Sequence, residues 1–552
     1  MKKWVNKVIA SLIIGASLLS LVGCGGGGNS QTVTIPDGPD YSKYTDTFNF
    51  NGYSSLSNGQ VMKDGMIYDL GRTFVTKETM AEYKECGMTV LLCNTAAQFS
   101  GIDNPDKAWL QVLDWGAELG LKIIVRDVGI WFLGQGTTPI VGENCQFATE
   151  AELDEYVYEN CLKHYFKHPA YYGVVMTDEP RTAIVTGGAY GALYKSIMRV
   201  SEKHGVDTYI LANMIGMNYY GAYSSHNPDQ MHPEISREEY CSIVGITSKD
   251  ENGNELSDED FYKRLEDEVA ALKGKKQESV QFEIMARRYA KRIDDFFEVT
   301  GADHYTYDNY PLYNTGPMEK MLLEFQVVAE GAKRHNADVH FVSQAMTYRP
   351  KGSNNDRILS DEDLRYLNNF ALAFAYDDIS YFTYFCYGDD AGGTALNGGS
   401  FLTIYGQKTD IWYYMQKIFA ENQRFAPTIK QFDYQASHIY KGAVVNYPAT
   451  YLSVAKNWGT LTKVKNVTVN KEHVIVNELY DDENDNYMYV VMNVVDSLHR
   501  GSKSYQTTTV TFDEQYNYAL VWRNGICEKV ALDNHTLTVK NAAGEAAFVI
   551  PY

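Results

Sequence analysis

"YYGVVMTDEP", residues 171–180, is an apolar run that stops on two acids and a proline. Residues 172–176 are apolar or glycine, which fits a strand buried inside a sheet. Pro180 lacks the N–H that a continuing ladder needs, so the strand ends at Asp178 or Glu179. The acids have two readings. They can sit at the start of a helix, where the dipole favours negative charge. They can also be carboxylates at the mouth of a barrel.

The surrounding chain favours the second reading. From about residue 60, strand-like and helix-like segments alternate. "GMIYDLGRTFV", "MTVLLCNT", "LKIIVRDVG" and "YYGVVMTDEP" read as strands 1 to 4, and "DTYILANMIG", "ADHYTYDNYP", "ADVHFVSQAMTY" and "ISYFTYFCYG" as strands 5 to 8. Amphipathic segments such as "DKAWLQVLDWGAELG" and "MEKMLLEFQVVAEGAKRHN" separate them, and a long polar stretch at 217–277 follows strand 5. Eight strand–helix units predict an α/β fold of the (β/α)8 TIM-barrel type over residues 59–428. An open doubly wound sheet would place a glycine-rich phosphate turn after an early strand, and the sequence has none. After Pro427 the helical period gives way to short β-rich runs with "DENDN" and "NG" turns. An antiparallel C-terminal all-β sandwich is expected over residues 429–552.

The 552-residue chain has ordinary hydrophobic and charged content, 45% and 22%, enough for a large core. A net charge of -21 makes the chain a poor candidate for binding nucleic acid, which requires clustered Lys and Arg. The 43 tyrosines suit both sandwich cores and sugar-binding clefts. The start of the chain reads as a secretory signal: basic "MKKWVNK", apolar "VIASLIIGASLLSLV", then "LVGC" at 21–24. The seven cysteines after Cys24 are scattered and never spaced C-x-x-C, so neither a zinc site nor a disulfide framework is indicated. "DENDN" and "DENGN" lack the Gly and Glu of a calcium loop, and His164 and His168 have no HExxH around them. No metal and no cofactor is expected.

In a barrel, chemistry gathers where strands end at the C-terminal face. The polar residues there are Asp69, Arg72, Asn94, Arg126, Asp127, Asp178, Glu179, Asn213, Asp308, Gln344 and Tyr384. Trp131, Tyr305, Tyr307, Tyr310, Tyr348 and Tyr381 crowd the same ends. Carboxylates, amides, one arginine and aromatic faces suit a sugar. Glu179 and Asp308 are the candidate catalytic pair, with a turn-capping role the alternative for Asp308. Asp178, Arg126, Asp127, Trp131, Asn213, Tyr307, Tyr310, Gln344 and Tyr384 are candidate substrate contacts. Asp127 is equally readable as half of a structural ion pair with Arg126.

"TDEP" at 177–180 resembles the N-E-P signature of retaining glycoside hydrolases built on a (β/α)8 barrel, and "YDNYP", "YFTYF" and the trailing sandwich extend the likeness. The resemblance implies that Glu179 is the general acid/base, with Asp178 in place of the Asn that binds the sugar's 2-hydroxyl. One departure stands out. The family's nucleophile is a Glu ending strand 7, and this chain has Gln344 there, with no Glu between His335 and Asp361. An amide cannot act as that nucleophile. Two accounts remain open: a second carboxylate from another strand, Asp308 being the nearest in type, or a cleft that binds glycans without cleaving them. Barrel glycosidases that act on α-galactosides pair acids from strands 4 and 6, so that geometry is attainable. "LVGC" likewise resembles the bacterial lipobox, which implies a lipidated Cys24, a membrane anchor on the outer face of the cell, and residues 25–58 as tether and lead-in. A periplasmic-type solute-binding lipoprotein is a third reading, for which two α/β lobes would be expected instead of eight sequential units.

Overall fold

The computed structural model of the protein describes residues 35–53, 56–63, 66–93, 105–217, 233–313, 316–317, 321–347, 357–386, 400–442, 456–471, 473–496 and 505–552. The signal segment and Cys24, Asn94 and Tyr348 lie outside the described residues. Residues Gly38–Tyr552 form one compact unit.

Eight parallel strands close a barrel: β1 (Phe50–Gly52), β2 (Val90–Cys93), β3 (Lys122–Val125), β4 (Tyr171–Asp178), β5 (Tyr209–Met214), β6 (His304–Asn309), β7 (Asp338–Gln344) and β8 (Asp378–Phe382). They succeed one another around the ring in chain order, and β1 pairs with both β2 and β8. Helices α1 (Lys77–Glu85), α2 (Pro105–Leu119), α3 (Glu150–Tyr156), α4 (Ala189–His204), α5 (Lys275–Thr300), α6 (Met321–His335) and α7 (Asp361–Ala373) supply the crossovers that parallel neighbours need, and α8 (Asp410–Ile429) follows β8. The polar stretch after β5 carries two further helices, Arg237–Val244 and Asp258–Ala271, with a small core of their own around Tyr240, Phe261 and Leu265.

The first strand is not where the sequence suggests. Residues 60–63 and 66–69 form an antiparallel hairpin outside the barrel, with Met66, Ile67 and Tyr68 exposed, and the barrel begins at Phe50, before the expected boundary at 59. β1 is only Phe-Asn-Gly, so it carries little apolar signal. Phe50 stacks on Phe419 of α8 at 4.3 Å. Gly52 is required by close packing, since a Cβ there would lie 2.8 Å from that of Tyr384.

One irregularity aims the site. Along β4, Val174 and Met176 face the helices and Val175 faces the barrel interior. The register then shifts: Val175 pairs with Leu211, but Thr177 pairs with Ala212. This bulge sets one extra residue in β4 and reverses the parity of the residues after it. Thr177 turns outward to the Tyr190 hydroxyl of α4, and Asp178 stands opposite Asn213.

The C-terminal strands are β9 (Asp433–Tyr440), β10 (Val464–Val469), β11 (Val474–Asp481), β12 (Asn486–Asn493), β13 (Tyr505–Phe512), β14 (Tyr518–Arg523), β15 (Ile526–Ala531), β16 (Thr536–Ala542) and β17 (Ala546–Pro551). They form a six-stranded sheet, β9-β11-β12-β17-β14-β15, and a three-stranded sheet, β10-β13-β16. Val476, Val491, Phe512 and Val539 fill the space between the sheets. The other face of the larger sheet presents Ile475, Met488, Val490, Phe548 and Ile550 to the barrel's own core. Phe425 of α8 packs on Phe548 at 4.9 Å, and Asn477 donates to the Ala373 carbonyl at the end of α7.

A buried ionic cluster joins the two parts. Arg357 donates to both carboxylate oxygens of Asp496, at 3.0 and 2.7 Å, and also binds Asp363, which caps α7 with Ser360. All three ionic side chains are buried. Removing the cation strands two buried carboxylates. Arg357→Met is therefore expected to cost about 3–5 kcal/mol in urea unfolding, far more than loss of the exposed Lys465–Glu514 pair.

Candidate active site

The strand ends of β4, β5 and β6 bring three carboxyl groups and an amide together. Asp178 ends β4, and Glu179 comes next with φ 46°, the left-handed region that a side chain disfavours by about 1 kcal/mol. Its neighbours hold it there. The Glu179 N–H donates to the Asn213 carbonyl at 2.8 Å, and the buried Arg292 of α5 donates to the Pro180 carbonyl. The chain thus turns sharply off the strand with Glu179 pointing at β6.

On β6 the alternation sends Tyr305 and Tyr307 outward and Asp308 inward, where it is buried. The Glu179 and Asp308 carboxyls hydrogen-bond to each other. Tyr310 donates to Asp308 Oδ2 at 3.1 Å. Asn213 Nδ2 donates to Asp178 Oδ1 at 2.9 Å and also to Asp308. Arg126, at the end of β3, lies over the Trp131 ring with its guanidinium carbon 3.6 Å from the centroid, and its charge acts on Asp178.

Burial raises both members of the pair above the usual carboxylate range, and their mutual bond then separates them. Glu179 is raised the further by desolvation, by the charge of Asp308 and its hydrogen bond, and by Asp178, with Arg292 opposing. Asp308 is raised by desolvation and by Asp178, while the bonds from Glu179, Tyr310 and Asn213 pull it back down. Donors on Asp308 favour its charged form, which favours the shared proton on Glu179. Asp178 is open to the cleft yet set deep among protein atoms, which raises its carboxyl too.

The remaining sequence candidates divide. Arg126, Trp131, Asn213 and Tyr310 join the acids. Tyr307 does not: its hydroxyl meets that of Tyr376 between barrel and helices, on the face opposite Asp308. Tyr384 is buried between β8 and α8, where its hydroxyl receives the Trp412 N–H and its ring packs on Tyr83. Asp127 caps the helix Val128–Gly134 and accepts from Tyr165, so its oxygens are spent on structure. Gln344 is fully buried; its amide accepts from the Leu312 N–H at 2.8 Å and donates to the Leu312 and Met346 carbonyls. It clamps the segment after β6, with both amide hydrogens used. Asp69 and Arg72 belong to the surface hairpin region outside the barrel.

Three groups escaped the sequence reading. Tyr53, directly after β1, packs its ring edge against Phe382 at 6.4 Å, and Phe382 stacks on Tyr310 at 5.1 Å. Arg292 and the fully buried Glu324 support the strand ends from outside. Glu324 accepts from the Met217 N–H after β5 and from the Asn309 amide at the end of β6. Charges on helices normally read as solvated faces, and no local pattern marks these two. Among the described residues, no group of His, Cys, Asp and Glu is placed to hold a metal ion.

No family model matches this chain, and no curated protein matches it. Solved structures with a similar path include glycoside hydrolases. A β-galactosidase from Bacillus circulans sp. alkalophilus aligns with a TM-score of 0.41 and 8% identity over 93% of this chain and 100% of that one. A GH27 β-L-arabinopyranosidase from Geobacillus stearothermophilus aligns at 0.40 and 10%, over 93% and 97%. A GH30 endoxylanase from Clostridium papyrosolvens C71 aligns at 0.30 and 10%, over 92% and 97%. At such identities none of their residues is carried over to this chain.

The pair makes a stability signature. A carboxyl raised in the folded state keeps its proton where the unfolded chain has released it, so stability falls as pH rises from about 4.5 toward the raised value. Gln at position 179 can still donate to Asp308 but does not titrate. Glu179→Gln is expected to match the wild-type Tm near pH 4 and to exceed it by roughly 1–4 °C at pH 8. A constant offset across the range would contradict the raised Glu179.

Proposed function

We propose that this chain hydrolyses glycosidic bonds of oligo- or polysaccharides, with Glu179 as general acid/base and Asp308 as the second carboxylate. One observation carries the reading: two touching carboxyls at the barrel mouth whose surroundings push their proton affinities apart. Such a split assigns one acid and one base at the same pH. Glu179 protonates the oxygen of the leaving group, and Asp308 meets the positive charge that develops at the anomeric carbon.

Contact between the carboxyls favours the retaining arrangement. Inversion needs room for a water, with carboxyls about 6.5–9.5 Å apart, whereas retention brings them to about 5–5.5 Å. Asp308 is then the nucleophile, held in line by Tyr310 and Asn213. Once the leaving group departs, Glu179 has lost its proton and can activate the incoming water. The amide of Gln344 takes no part in this scheme; it is committed to backbone groups. Arg126 over Trp131 holds the carboxylate of Asp178 at the cleft edge, where it meets a sugar hydroxyl.

Glu179→Gln is expected to lower turnover of unactivated glycosides at least about a hundredfold. Aryl glycosides with good leaving groups should suffer less, since they need little protonation. Asp308→Asn should abolish turnover of both kinds, because activation of the leaving group does not replace a nucleophile. Wild-type activity in Asp308→Asn, or glycan binding by the wild type with no cleavage of any glycoside, would overturn the scheme.

We further propose that Cys24 carries a lipid anchor that holds the mature protein at the outer face of the bacterial membrane. Among the described residues no helix is long and apolar enough to cross a membrane. Cys24→Ala is expected to move the protein from the membrane fraction to the soluble fraction on cell fractionation. Retention of the variant in membranes would count against the anchor.

A further inference from the structure

The site contains two buried polar atoms that protein groups leave unmatched. The Tyr53 hydroxyl and Asn213 Oδ1 have no hydrogen-bond partner among the described residues. Tyr53 is 9% exposed and Asn213 1%. Unmatched buried polar groups are uncommon and costly, and each calls for an explanation.

Both atoms are fixed in place. Tyr53 is pinned through its backbone: its N–H donates to the Tyr381 carbonyl, and its own carbonyl accepts from the Tyr384 N–H and the Thr383 hydroxyl. Its ring belongs to the apolar plug of the barrel, with Leu92, Ile124, Val175, Leu211 and Val342. The hydroxyl lies within the field of Asp178, Asp308 and Glu179 without bonding any of them. Asn213 commits its amide nitrogen to Asp178 and Asp308, which leaves the carbonyl as a pure acceptor. A phenol that stays protonated stands as a donor, and a fixed carbonyl stands as an acceptor. A sugar hydroxyl satisfies both kinds of group, and an apolar or aromatic ligand satisfies neither.

We propose that Tyr53 is a specificity-determining residue, which with Asn213 Oδ1 hydrogen-bonds hydroxyls of the sugar ring held against Glu179 and Asp308. This rests on the glycosidase reading and deepens it: the subsite recognises a hydroxylated ring by matching buried atoms. A ligand lacking the hydroxyls leaves those atoms stranded, which is the strongest form of rejection a binding site has.

The test uses hydroxylated piperidines of gluco, galacto and manno configuration, with unsubstituted piperidine as the ring without hydroxyls. Their affinities for wild type and Tyr53→Phe are measured by calorimetry, together with the Tm of each unliganded protein. The best-bound hydroxylated amine should bind Tyr53→Phe about 10- to 100-fold more weakly, while piperidine should bind both alike. The unliganded Tm should be unchanged or higher, because the substitution removes an unmatched hydroxyl. Equal affinity in the two proteins, or equal losses for both kinds of amine, would refute the role of Tyr53 and leave the glycosidase reading standing. A fall of more than about 5 °C in the unliganded Tm would make the hydroxyl structural and also refute it. A wild type that binds none of the hydroxylated amines would refute the inference together with the reading beneath it.

Discussion

The Glu179 and Asp308 carboxyls can meet only because β4 carries an extra residue opposite β5. Without that bulge, Asp178 would lie on the helix side of the sheet and the turn after it would point elsewhere. With it, Asp178, Asn213 and Asp308 stand on three successive strands facing the same space, and the Asn213 amide ties the outer two together. Glu179 then closes on Asp308 from a backbone conformation that a glutamate does not choose freely. The Asn213 carbonyl and Arg292 hold that conformation from either side. A displaced pairing in one strand thus sets the distance, the orientation and the proton affinity of the central pair.

These arrangements all oppose stability. A left-handed residue, two desolvated carboxyls and two unmatched polar atoms gather within a few strand ends. The surrounding scaffold is correspondingly rigid. Glu324 clamps the ends of β5 and β6, and Gln344 clamps the segment after β6. The plug of Leu92, Ile124, Val175, Leu211 and Val342 fills the interior beneath. Such a base fixes the acids in place and leaves them little freedom to reorganise.

Much of this was legible in the sequence, for identifiable reasons. β2 to β5 contain apolar runs and β6 to β8 aromatic-rich ones, each followed by an amphipathic helix, and such segments are readable. β1 is not, because its three residues gain their burial from Phe419 and Tyr384, far along the chain. The exposed Met66–Tyr68 segment imitates a strand better than β1 does, which displaced the barrel's start and hid Tyr53 with it. Glu179 and Asp308 stand out as acids at strand ends. Tyr307 could have been excluded on parity alone, since a neighbour of an inward Asp308 faces outward. Asp127, Gln344 and Tyr384 are different: their partners are Tyr165, a loop backbone and Trp412, contacts that no local pattern announces.

The six-stranded sheet has a bearing on the order in which the molecule is made. Its strand β17 is the last in the chain, yet it lies between β12 and β14 and is buried on both faces. At the other end, Phe50 of β1 must wait for Ile379 of β8 before the barrel can close. A chain made from its N-terminus can therefore close the barrel only once β8 is present, and fill the larger sheet only once β17 is. Long-range pairing of this kind folds slowly and late. Until those segments arrive, β1 and β12 each present an unpaired edge, so the completion of both cores is tied to residues distant in the chain.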